Sequence, residues 1–457
     1  MTRLFFDISD IAIYIRKYRS ISGIQRVTVM IVSEITRQLG PDKVYLAWHR
    51  APGTPYLASP ATDLLDALRH FDTATLGQAL GVPVAEHVLY SAAQILPSHP
   101  TPSWAYADAD AELATLDAVE TGTVPATRHG TPFFELAKQG DILCGLGRSW
   151  GQPHLEDSYR EAKRRGISVH LLVHDLIPLK LPQLANPGSS SDYYTWLSRS
   201  PAYCCSYLAN SRATGADLRD FLQELDARCP VHVTPLAQER LIEAPTNLRT
   251  HPDIPLAHAR ALSHAQTAAR LSLPVREAMT VPYVLCVGTI EPRKNLWRLV
   301  QAWSRLTREP TLEMPRLVLA GRRGWLTDGF LEMLERTGGM GGWVVHLNAP
   351  TDEELDYLYR HCLFIAKVSL YEGWGLPIGE GLSYGKTGVV SHTSSMPEVG
   401  GDMVEYCDPT ATHSIADACR KLLAAPEHRL ALEERIARTR LRGWEDVAQD
   451  VLKVLLH

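Results

Sequence analysis

The sequence lacks the excess of basic residues that nucleic-acid-binding domains usually carry. Its 457 residues include 46 Lys and Arg against 51 Asp and Glu, which leaves a formal net charge of −5. No run of about 18 apolar residues is present, which argues against a membrane-spanning helix. The opening MTRLFFDISD becomes acidic at Asp7, before the apolar stretch of a signal peptide could form. We therefore expect a cytoplasmic protein that binds no nucleic acid.

Cysteines are few, and their spacing contains no zinc-binding motif. The eight cysteines form no CxxC pair and no Cys/His pairing of the zinc type. Several lie in apolar runs such as YVLCVG and HCLFIA, where a buried free thiol is the simplest interpretation. A reducing compartment fits this usage, in agreement with a cytoplasmic location.

Length and patterning predict two domains. A chain of 457 residues exceeds what one hydrophobic core usually serves. Strand-like runs alternate with helical ones through residues 1–240 and again through 281–435, which is typical of doubly wound sheets. We predict an α/β fold of two Rossmann-like parallel-sheet domains facing a central cleft. Residues 241–280 would connect them, and a C-terminal helix at 436–457 would cross back to the first domain.

Particular runs carry these predictions. The predicted strands are RLFFDIS, VYLAWH, DILCGL, SVHLLVHD, SYLANS and VHVTPL in the first half, then YVLCVGT, RLVLAG, WVVHL, LFIAKVS and GVVSH. In the second half, Asn295 is a predicted helix N-cap, and Thr351 with Glu354 forms a capping-box pattern. Residues 50 to about 140 interrupt the alternation and are interpreted as an insertion with helical patches such as ATDLLDALRHF. Acceptor recognition is one hypothesis for the role of this segment.

The stretch SLYEGWGLPIGEGLSYG, residues 369–385, combines a glycine turn with two carboxylates. Glu372 precedes the turn, and Glu380 lies one turn inside the helix that Pro377 is suited to begin. Unpaired N–H groups at a helix start bind anions such as phosphate. Carboxylates on either side would then accept sugar or ribose hydroxyls. A solvated pair of glutamates beside an ordinary turn is the alternative.

A second motif, VGTIEPRKNLW, places Arg293 and Lys294 between a strand end and a helix start. Arginine binds phosphate as a fork and lysine as a point charge, so both could bind the same anion. An exposed basic pair beside Glu291 is the commoner outcome for a lone RK. Its occurrence at the same predicted sheet edge as the glycine turn favours a functional site.

Together, TIEPRKNL, SLYEGWGLPIGEGLSYG and SHTSSMPEVGGD resemble the retaining glycosyltransferases of family 4, which have the GT-B fold. The resemblance covers most of the second domain. In the first domain, FDISD, SGIQRV, VHDLIP and LANSRAT resemble the same family's pattern at lower specificity. The resemblance does not extend to the region from 50 to 140.

The resemblance implies roles for single residues. Glu372 would contact the donor sugar and Glu380 the ribose, while Lys294, with Arg293 as its neighbour, would hold the donor diphosphate. The backbone of the turn would face the donor, through Gly373, Trp374, Gly375 and Leu376.

In the first domain, His174 of VHDLIP resembles the histidine near the reacting sugar. Gly23 resembles the glycine of a loop that lines the cleft. By residue type alone, a single histidine after an apolar strand is more often a structural hydrogen-bonding group. The catalytic candidates implied are Glu372, His174 and Lys294.

Three departures from the family pattern stand out. Many relatives have arginine directly after the glycine of the VG strand end, where this chain has Thr289. The positive charge that binds the phosphate would then come from Arg293, or from Arg322 or Arg323 of AGRRGW, or it would be missing. Relatives often have proline before the serine of SLYEG and at position 387. This chain has Val368, preceded by Lys367, and Thr387 there, which we interpret as packing changes.

The implied function is transfer of a sugar from a nucleotide-sugar donor to a hydroxyl of a glycan or lipid-linked saccharide in polysaccharide or lipopolysaccharide biosynthesis. The resemblance favours mannose from a GDP-sugar, and it implies a reaction that needs neither a metal nor another cofactor. The run DAD at 108–110 resembles a metal-binding DxD motif, although an acidic surface patch is the simpler interpretation. Arg16, Lys17 and Arg19 could contact the inner membrane face or be solvated.

Two alternatives remain open at this point. A nucleotide-sugar epimerase would need acid–base carboxylates from the first domain and no acceptor. A catalytically silent nucleotide- or glycan-binding subunit would tolerate Thr289 in place of arginine.

Overall fold

The computed structural model describes two α/β domains, each built on a largely parallel sheet, and so confirms the predicted fold class. The described residues are 2–18, 21, 23–84, 130–186, 188–239 and 270–456. The predicted insertion between 85 and 129, the DAD run and most of the predicted connector lie outside these ranges.

The sheet of the first domain has the strand order β4-β3-β2-β1-β5-β6-β7-β8. Its strands are β1 Leu4–Asp7, β2 Val44–His49, β3 Tyr56–Pro60, β4 Thr131–Pro132, β5 Ile142–Gly145, β6 Ser168–Val173, β7 Ser206–Ala209 and β8 Val231–Val233. From β2 to β8 neighbouring strands are parallel, with Leu4 opposite both Val44 and Ile142. Their carboxyl ends therefore share one edge, which faces the second domain.

Strands β3 and β4 lie within the segment interpreted as an insertion, and neither was predicted. β3 pairs with β2 in an antiparallel sense, and β4 pairs with β3. The run YLASP shows no clean alternation, and each of the two strands ends in a proline, which lacks the N–H that a ladder hydrogen bond needs. The described parts of this segment thus widen the first sheet.

The sheet of the second domain has the order β11-β10-β9-β12-β13-β14, and the described pairs are parallel. Its strands are β9 Tyr283–Val287, β10 Arg316–Ala320, β11 Val344–Leu347, β12 Ile365–Lys367, β13 Gly388–Ser391 and β14 Glu405–Cys407. Only β14 was not predicted, because its three residues EYC carry no strand pattern of their own. A glycine-rich turn with positive φ, Gly338–Gly342, precedes β11.

Helices cover both faces of each sheet. Those of the first domain are α1 Ser9–Tyr14, α2 Gly23–Leu39, α3 Leu65–Arg69, α4 Thr73–Leu80, α5 Phe133–Leu136, α6 Pro153–Arg164, α7 Ile177–Lys180, α8 Ser189–Arg199 and α9 Arg212–Glu224. Those that follow are α10 Leu273–Ala278, α11 Leu296–Leu306, α12 Asp328–Arg336, α13 Asp352–His361, α14 Leu376–Ser383, α15 Met396–Gly400, α16 Thr412–Ala424, α17 Pro426–Arg438 and α18 Trp444–Leu456. Among them, no helix in the described ranges is both long enough and apolar enough to cross a membrane.

Two predicted helix caps had different outcomes. Thr351 and Glu354 form a capping box at the start of α13, as predicted. Asn295 occupies the N-cap position of α11, as predicted, but its φ is +60° and its side chain makes no cap hydrogen bond. Instead, the Asn295 amide donates to the carbonyl oxygens of Val368 (3.0 Å) and Pro409 (2.7 Å). It therefore joins loops of the second domain.

The last helix packs on the first domain. Val447 and Val451 of α18 lie in one apolar core with Ile31 and Ile35 of α2. Just before α18, the carbonyl oxygen of Arg442 accepts a hydrogen bond of 2.8 Å from the Gln238 N–H. The chain thus ends on the domain where it began.

Candidate functional site

The candidate site lies where β12 gives way to the glycine turn and α14. Gly375, the residue before α14, has φ +95°, a conformation that glycine adopts readily and other residues rarely do. Pro377 occupies the first turn of the helix. Within the described residues, the backbone N–H groups of Trp374, Gly375 and Leu376 donate to no acceptor. The helix start therefore presents an electropositive end to an anion.

Glu372 is buried beside this helix start and is surrounded by cations. The Lys294 ammonium donates to both of its carboxylate oxygens, at 2.8 and 3.1 Å. The Arg293 guanidinium donates to Oε2 at 2.7 Å, and Lys367 Nζ lies 3.2 Å from Oε1. The Ser369 hydroxyl also donates to Oε1, at 2.7 Å. The predicted pair Arg293 and Lys294 and the predicted Glu372 thus meet in one cluster.

This environment shifts the pKa values of the cluster. Burial would raise the pKa of Glu372, but Arg293, Lys294 and Lys367 hold it well below its usual value. Burial and the neighbouring Arg293 lower the pKa of Lys294 to about 8, although Glu372 opposes the shift. Glu372 is therefore ionised at neutral pH. Lys294 is still mostly protonated there, but it loses its proton as the pH rises through about 8.

Arg293 connects the cluster to its surroundings. Its guanidinium donates to the Tyr371 carbonyl oxygen at 2.6 Å and forms ion pairs with Glu291 and Glu372. Asp175, from the first domain, adds a further carboxylate whose charge also acts on Arg293. These partners fix Arg293 in place, so Lys294 is the more adaptable of the two predicted cations.

Lys367 is a third cation that the sequence analysis did not assign to the site. It ends β12, and its ammonium donates to the Val287 carbonyl oxygen at 3.3 Å. The only signal in the sequence was a charged residue inside the apolar run LFIAKVS. The interpretation of Lys367 as a packing change missed its position beside Glu372.

The two arginines considered as replacements for the arginine missing at Thr289 have other partners. Arg322 donates to the Tyr14 hydroxyl at 2.8 Å and lies over the Tyr18 ring, 4.8 Å from its centroid. Arg323 forms an ion pair with Asp328. Arg322 thus bridges the two domains, and neither arginine joins the cluster around Glu372.

Glu380 lies one turn inside α14, half-buried. Its Oε2 accepts a hydrogen bond of 2.6 Å from the Tyr359 hydroxyl. Burial raises the pKa of Glu380, which Tyr359 and the nearby Arg26 partly offset. The second predicted carboxylate is thus on the helix that follows the anion-binding turn, and Arg26 lies near it from the first domain.

His174 approaches the site from the first domain. Its Nε2 lies 2.7 Å from the Leu146 carbonyl oxygen, which can only accept, so Nε2 carries the proton. Burial lowers the pKa of His174 to about 4, and the ring is therefore neutral at neutral pH. A Cβ placed on Gly373 would lie only 2.0 Å from the His174 carbonyl oxygen. The turn and His174 are thus in direct backbone contact across the cleft.

The other predicted site residues also lie at the junction of the domains. Gly23 begins α2, and a Cβ there would lie 3.5 Å from the Leu376 side chain. The indole N–H of Trp374 donates to the Ala237 carbonyl oxygen at 3.0 Å. The Trp374 side chain therefore anchors the turn to the first domain, while its backbone remains at the helix start.

Comparison with known proteins identifies relatives of the second domain. Residues 274–439 match the family model described as "Glycosyl transferases group 1". The "O-antigen chain mannosyltransferase B" of Escherichia coli is 38% identical over 165 residues, 36% of this chain and 43% of that protein. The E. coli "Serotype-specific mannosyltransferase WbdA" is 24% identical over 311 residues, 66% of this chain and 35% of that protein. The chain matches less than half the length of these relatives.

Solved structures share the fold of the described domains. Anabaena HepE, crystallised with UDP and glucose, has a TM-score of 0.58 at 13% identity, with 100% of both chains covered. WaaG, described as a glycosyltransferase involved in lipopolysaccharide biosynthesis, has a TM-score of 0.54 at 12% identity, with 99% of both chains covered. The two facing Rossmann-like domains are therefore those of the GT-B fold.

Proposed function

We propose that the chain is a glycosyltransferase of polysaccharide or lipopolysaccharide biosynthesis that transfers a hexose from a nucleotide-sugar donor to a hydroxyl of a glycan or lipid-linked saccharide. The observation that carries this proposal is the convergence of Lys294, Glu372 and the unpaired N–H groups of the α14 start. The match of residues 274–439 to a glycosyltransferase family model supports it.

The donor would lie along the turn with its diphosphate at the start of α14. Lys294 and the N–H groups of Trp374, Gly375 and Leu376 would bind the phosphate oxygens. Glu380 would accept the ribose hydroxyls, and Glu372 would accept a hydroxyl of the sugar. Arg293 would keep Glu372 ionised and in position.

The chemistry follows from where charge develops. As the glycosidic bond to the phosphate breaks, the diphosphate gains negative charge, which Lys294 and the N–H groups stabilise. Removing one such donor typically costs about 3 to 4 kcal/mol of barrier. We propose that these groups replace a metal ion and that the acceptor hydroxyl attacks from the face the diphosphate leaves, with retention of configuration. Neutral His174, whose Nε2 proton is bound to Leu146, would accept from a sugar hydroxyl through Nδ1.

We propose mannose as the sugar and GDP as the nucleotide, because two relatives are named mannosyltransferases. HepE was solved with UDP, so the experiment must compare bases. An acceptor carried on a lipid would bring the protein to the cytoplasmic face of a membrane.

The proposal is tested first by ligand binding and then by transfer. Thermal shifts are measured with GDP-, UDP-, dTDP- and ADP-sugars in EDTA. A donor at a hundred times its Kd stabilises the fold by about 2.7 kcal/mol. The donor that shifts the melting temperature is then incubated with mannose-terminated oligosaccharides, and NMR defines the anomeric configuration of the product.

Each outcome of these assays has a distinct meaning. Transfer with retention in EDTA is the expected result. Donor binding with neither transfer nor slow hydrolysis would favour a silent binding subunit. Release of an altered sugar in the absence of an acceptor would favour an epimerase. No shift with any nucleotide sugar would overturn the proposed donor site.

A further inference from the structure

Lys367 is the most deeply buried of the three cations around Glu372. Its side chain is 3% exposed, against 14% for Lys294 and 12% for Arg293. The Val287 carbonyl oxygen, at 3.3 Å, holds its ammonium in place. Gly288 lies next to both lysines, because a Cβ there would lie 3.3 Å from Lys367 Nζ and 3.7 Å from Lys294 Cε. Lys367 is thus enclosed more fully than Lys294, whose side chain keeps the larger exposed fraction.

The charges of the cluster explain why a third cation is needed. Arg293, Lys294 and Lys367 face two close carboxylates, Glu291 and Glu372. If Lys294 turned to a diphosphate, two cations would still balance these two carboxylates. Without Lys367, Arg293 alone would face both, and Asp175 across the cleft would add to the excess of negative charge. A buried, uncompensated carboxylate is strongly unfavourable, so Glu372 would retain Lys294.

We propose that Lys367 is the resident counter-ion of Glu372, a positioning residue that allows Lys294 to leave this carboxylate for the donor diphosphate. The inference rests on the proposed function and adds to it the residue that prepares the phosphate site. Lys367 acts through Glu372 and does not itself contact phosphate.

The first test compares binding of GDP and of guanosine to the wild type and to Lys367→Met, by calorimetry. Methionine has a similar length and no charge, so the packing of β12 is preserved. GDP affinity is expected to fall about tenfold or more, since Lys294 remains paired with Glu372. Guanosine affinity is expected to stay unchanged. Lys421→Met is the matched control, because Lys421 pairs with Glu405 on the surface of the same domain and should leave GDP binding unchanged.

The second test is a double-mutant cycle with Glu372→Gln, again measured by GDP binding. If Lys367 acts through the Glu372 charge, Lys367→Met has little effect once that charge is gone. An equal loss of affinity in both backgrounds would instead identify a direct phosphate contact and overturn the proposal. The double variant also removes both charges of the pair, so it is expected to fold even if Lys367→Met alone is unstable.

The outcomes separate this inference from the proposed function. UDP, dTDP and ADP are included as further probes beside GDP. A wild type that binds none of these nucleoside diphosphates overturns both the counter-ion role and the proposed function. A wild type that binds GDP and a Lys367→Met variant that binds it equally well overturn the counter-ion role alone. Loss of GDP and guanosine binding together would mean a general structural role, and would also contradict the inference.

Discussion

At the scale of single residues, the ammonium of Lys294 is subject to opposing influences. Burial and Arg293 favour its neutral form, while Glu372 and Glu291 favour the charged form. The balance places its pKa at about 8, within reach of ordinary buffers. Diphosphate binding needs the charged form, so the site should respond to pH just above neutrality.

The first prediction is a loss of GDP affinity at alkaline pH. As pH rises above about 8, Lys294 loses its proton and the affinity falls, by up to about tenfold per pH unit. Guanosine binding, which does not use the diphosphate site, is measured beside it between pH 7 and 9. Lys294→Met should bind GDP more weakly and without this pH response. A wild-type affinity that is flat across the range would contradict the assigned role of Lys294.

The second prediction separates Glu372 from Lys294. Glu372→Gln should abolish transfer but spare nucleotide binding, because Lys294 is then released from the charge of its closest carboxylate partner. Lys294→Ala should weaken nucleotide binding by about 2 kcal/mol or more and reduce transfer as well. Both are checked by calorimetry and by a transfer assay with the same donor. Full activity in either variant would disprove the site assignment.

Sequence patterns were sufficient to propose Glu372, Glu380 and Lys294, because each lies in a short motif at a strand end or helix start. Lys367 could not be found in this way. Its two partners, Glu372 and the Val287 carbonyl oxygen, come together only when β9 and β12 are neighbours in the sheet. A lysine within an apolar run signals a buried charge, but it does not name the carboxylate that compensates it.

At the scale of secondary-structure elements, the turn between β12 and α14 makes a close backbone contact with the first domain. Besides the His174 carbonyl oxygen at 2.0 Å, a Cβ on Gly373 would lie 2.9 Å from Asp175 Cβ. Neither atom is at the end of a flexible side chain. The turn can approach the first domain this closely only with glycine at this position.

The third prediction is that Gly373→Ala disrupts the junction of the domains without unfolding either one. Transfer should fall by at least about a hundredfold, because a displacement of about 1 Å at a reacting centre can cost that much. Far-UV circular dichroism should be unchanged. Gly329→Ala is the control, since a Cβ at Gly329 meets nothing within 4 Å. Normal activity of Gly373→Ala would show that the two domains do not meet this closely during the reaction.

Prediction of elements from sequence succeeded where one segment carries its own pattern. The capping box of α13 is local, since Thr351 and Glu354 supply both hydrogen bonds. Asn295 has the right residue type for a cap, but its side chain is bound to the carbonyl oxygens of Val368 and Pro409, more than 70 residues away. Strands β3 and β14 likewise depend on a neighbouring strand rather than on their own alternation.

At the scale of the whole molecule, one carboxylate of the second domain joins it to the first domain. Glu398 of α15 accepts hydrogen bonds from the N–H groups of Arg212 (2.8 Å) and Ala213 (2.9 Å), at the start of α9. A carboxylate at a helix N-terminus is stabilised by the N–H groups and by the helix dipole. Tyr371, next to Glu372, also contacts Asp217 of α9. The closed arrangement of the domains therefore depends on α9.

The fourth prediction is that Glu398→Ala shifts the molecule towards an open arrangement. Loss of the charged hydrogen bonds costs about 2 kcal/mol, or roughly a thirtyfold change in the ratio of closed to open molecules. Small-angle scattering should show a larger radius of gyration, and kcat/KM should fall through a higher KM for the donor. Glu434→Ala is the control, because Glu434 pairs with Arg438 on the exposed face of α17.

An unchanged radius of gyration and KM in Glu398→Ala would mean that the contacts around His174 and Gly373, to which Thr214 of α9 also donates, hold the domains without Glu398. If Glu398→Ala does open the molecule, combining it with Gly373→Ala shows whether the two contacts act together. If both stabilise the same closed state, either variant alone opens the molecule, and the second adds little to the radius of gyration. If they act separately, the opening increases from the single to the double variant, and the cleft closes through two independent contacts.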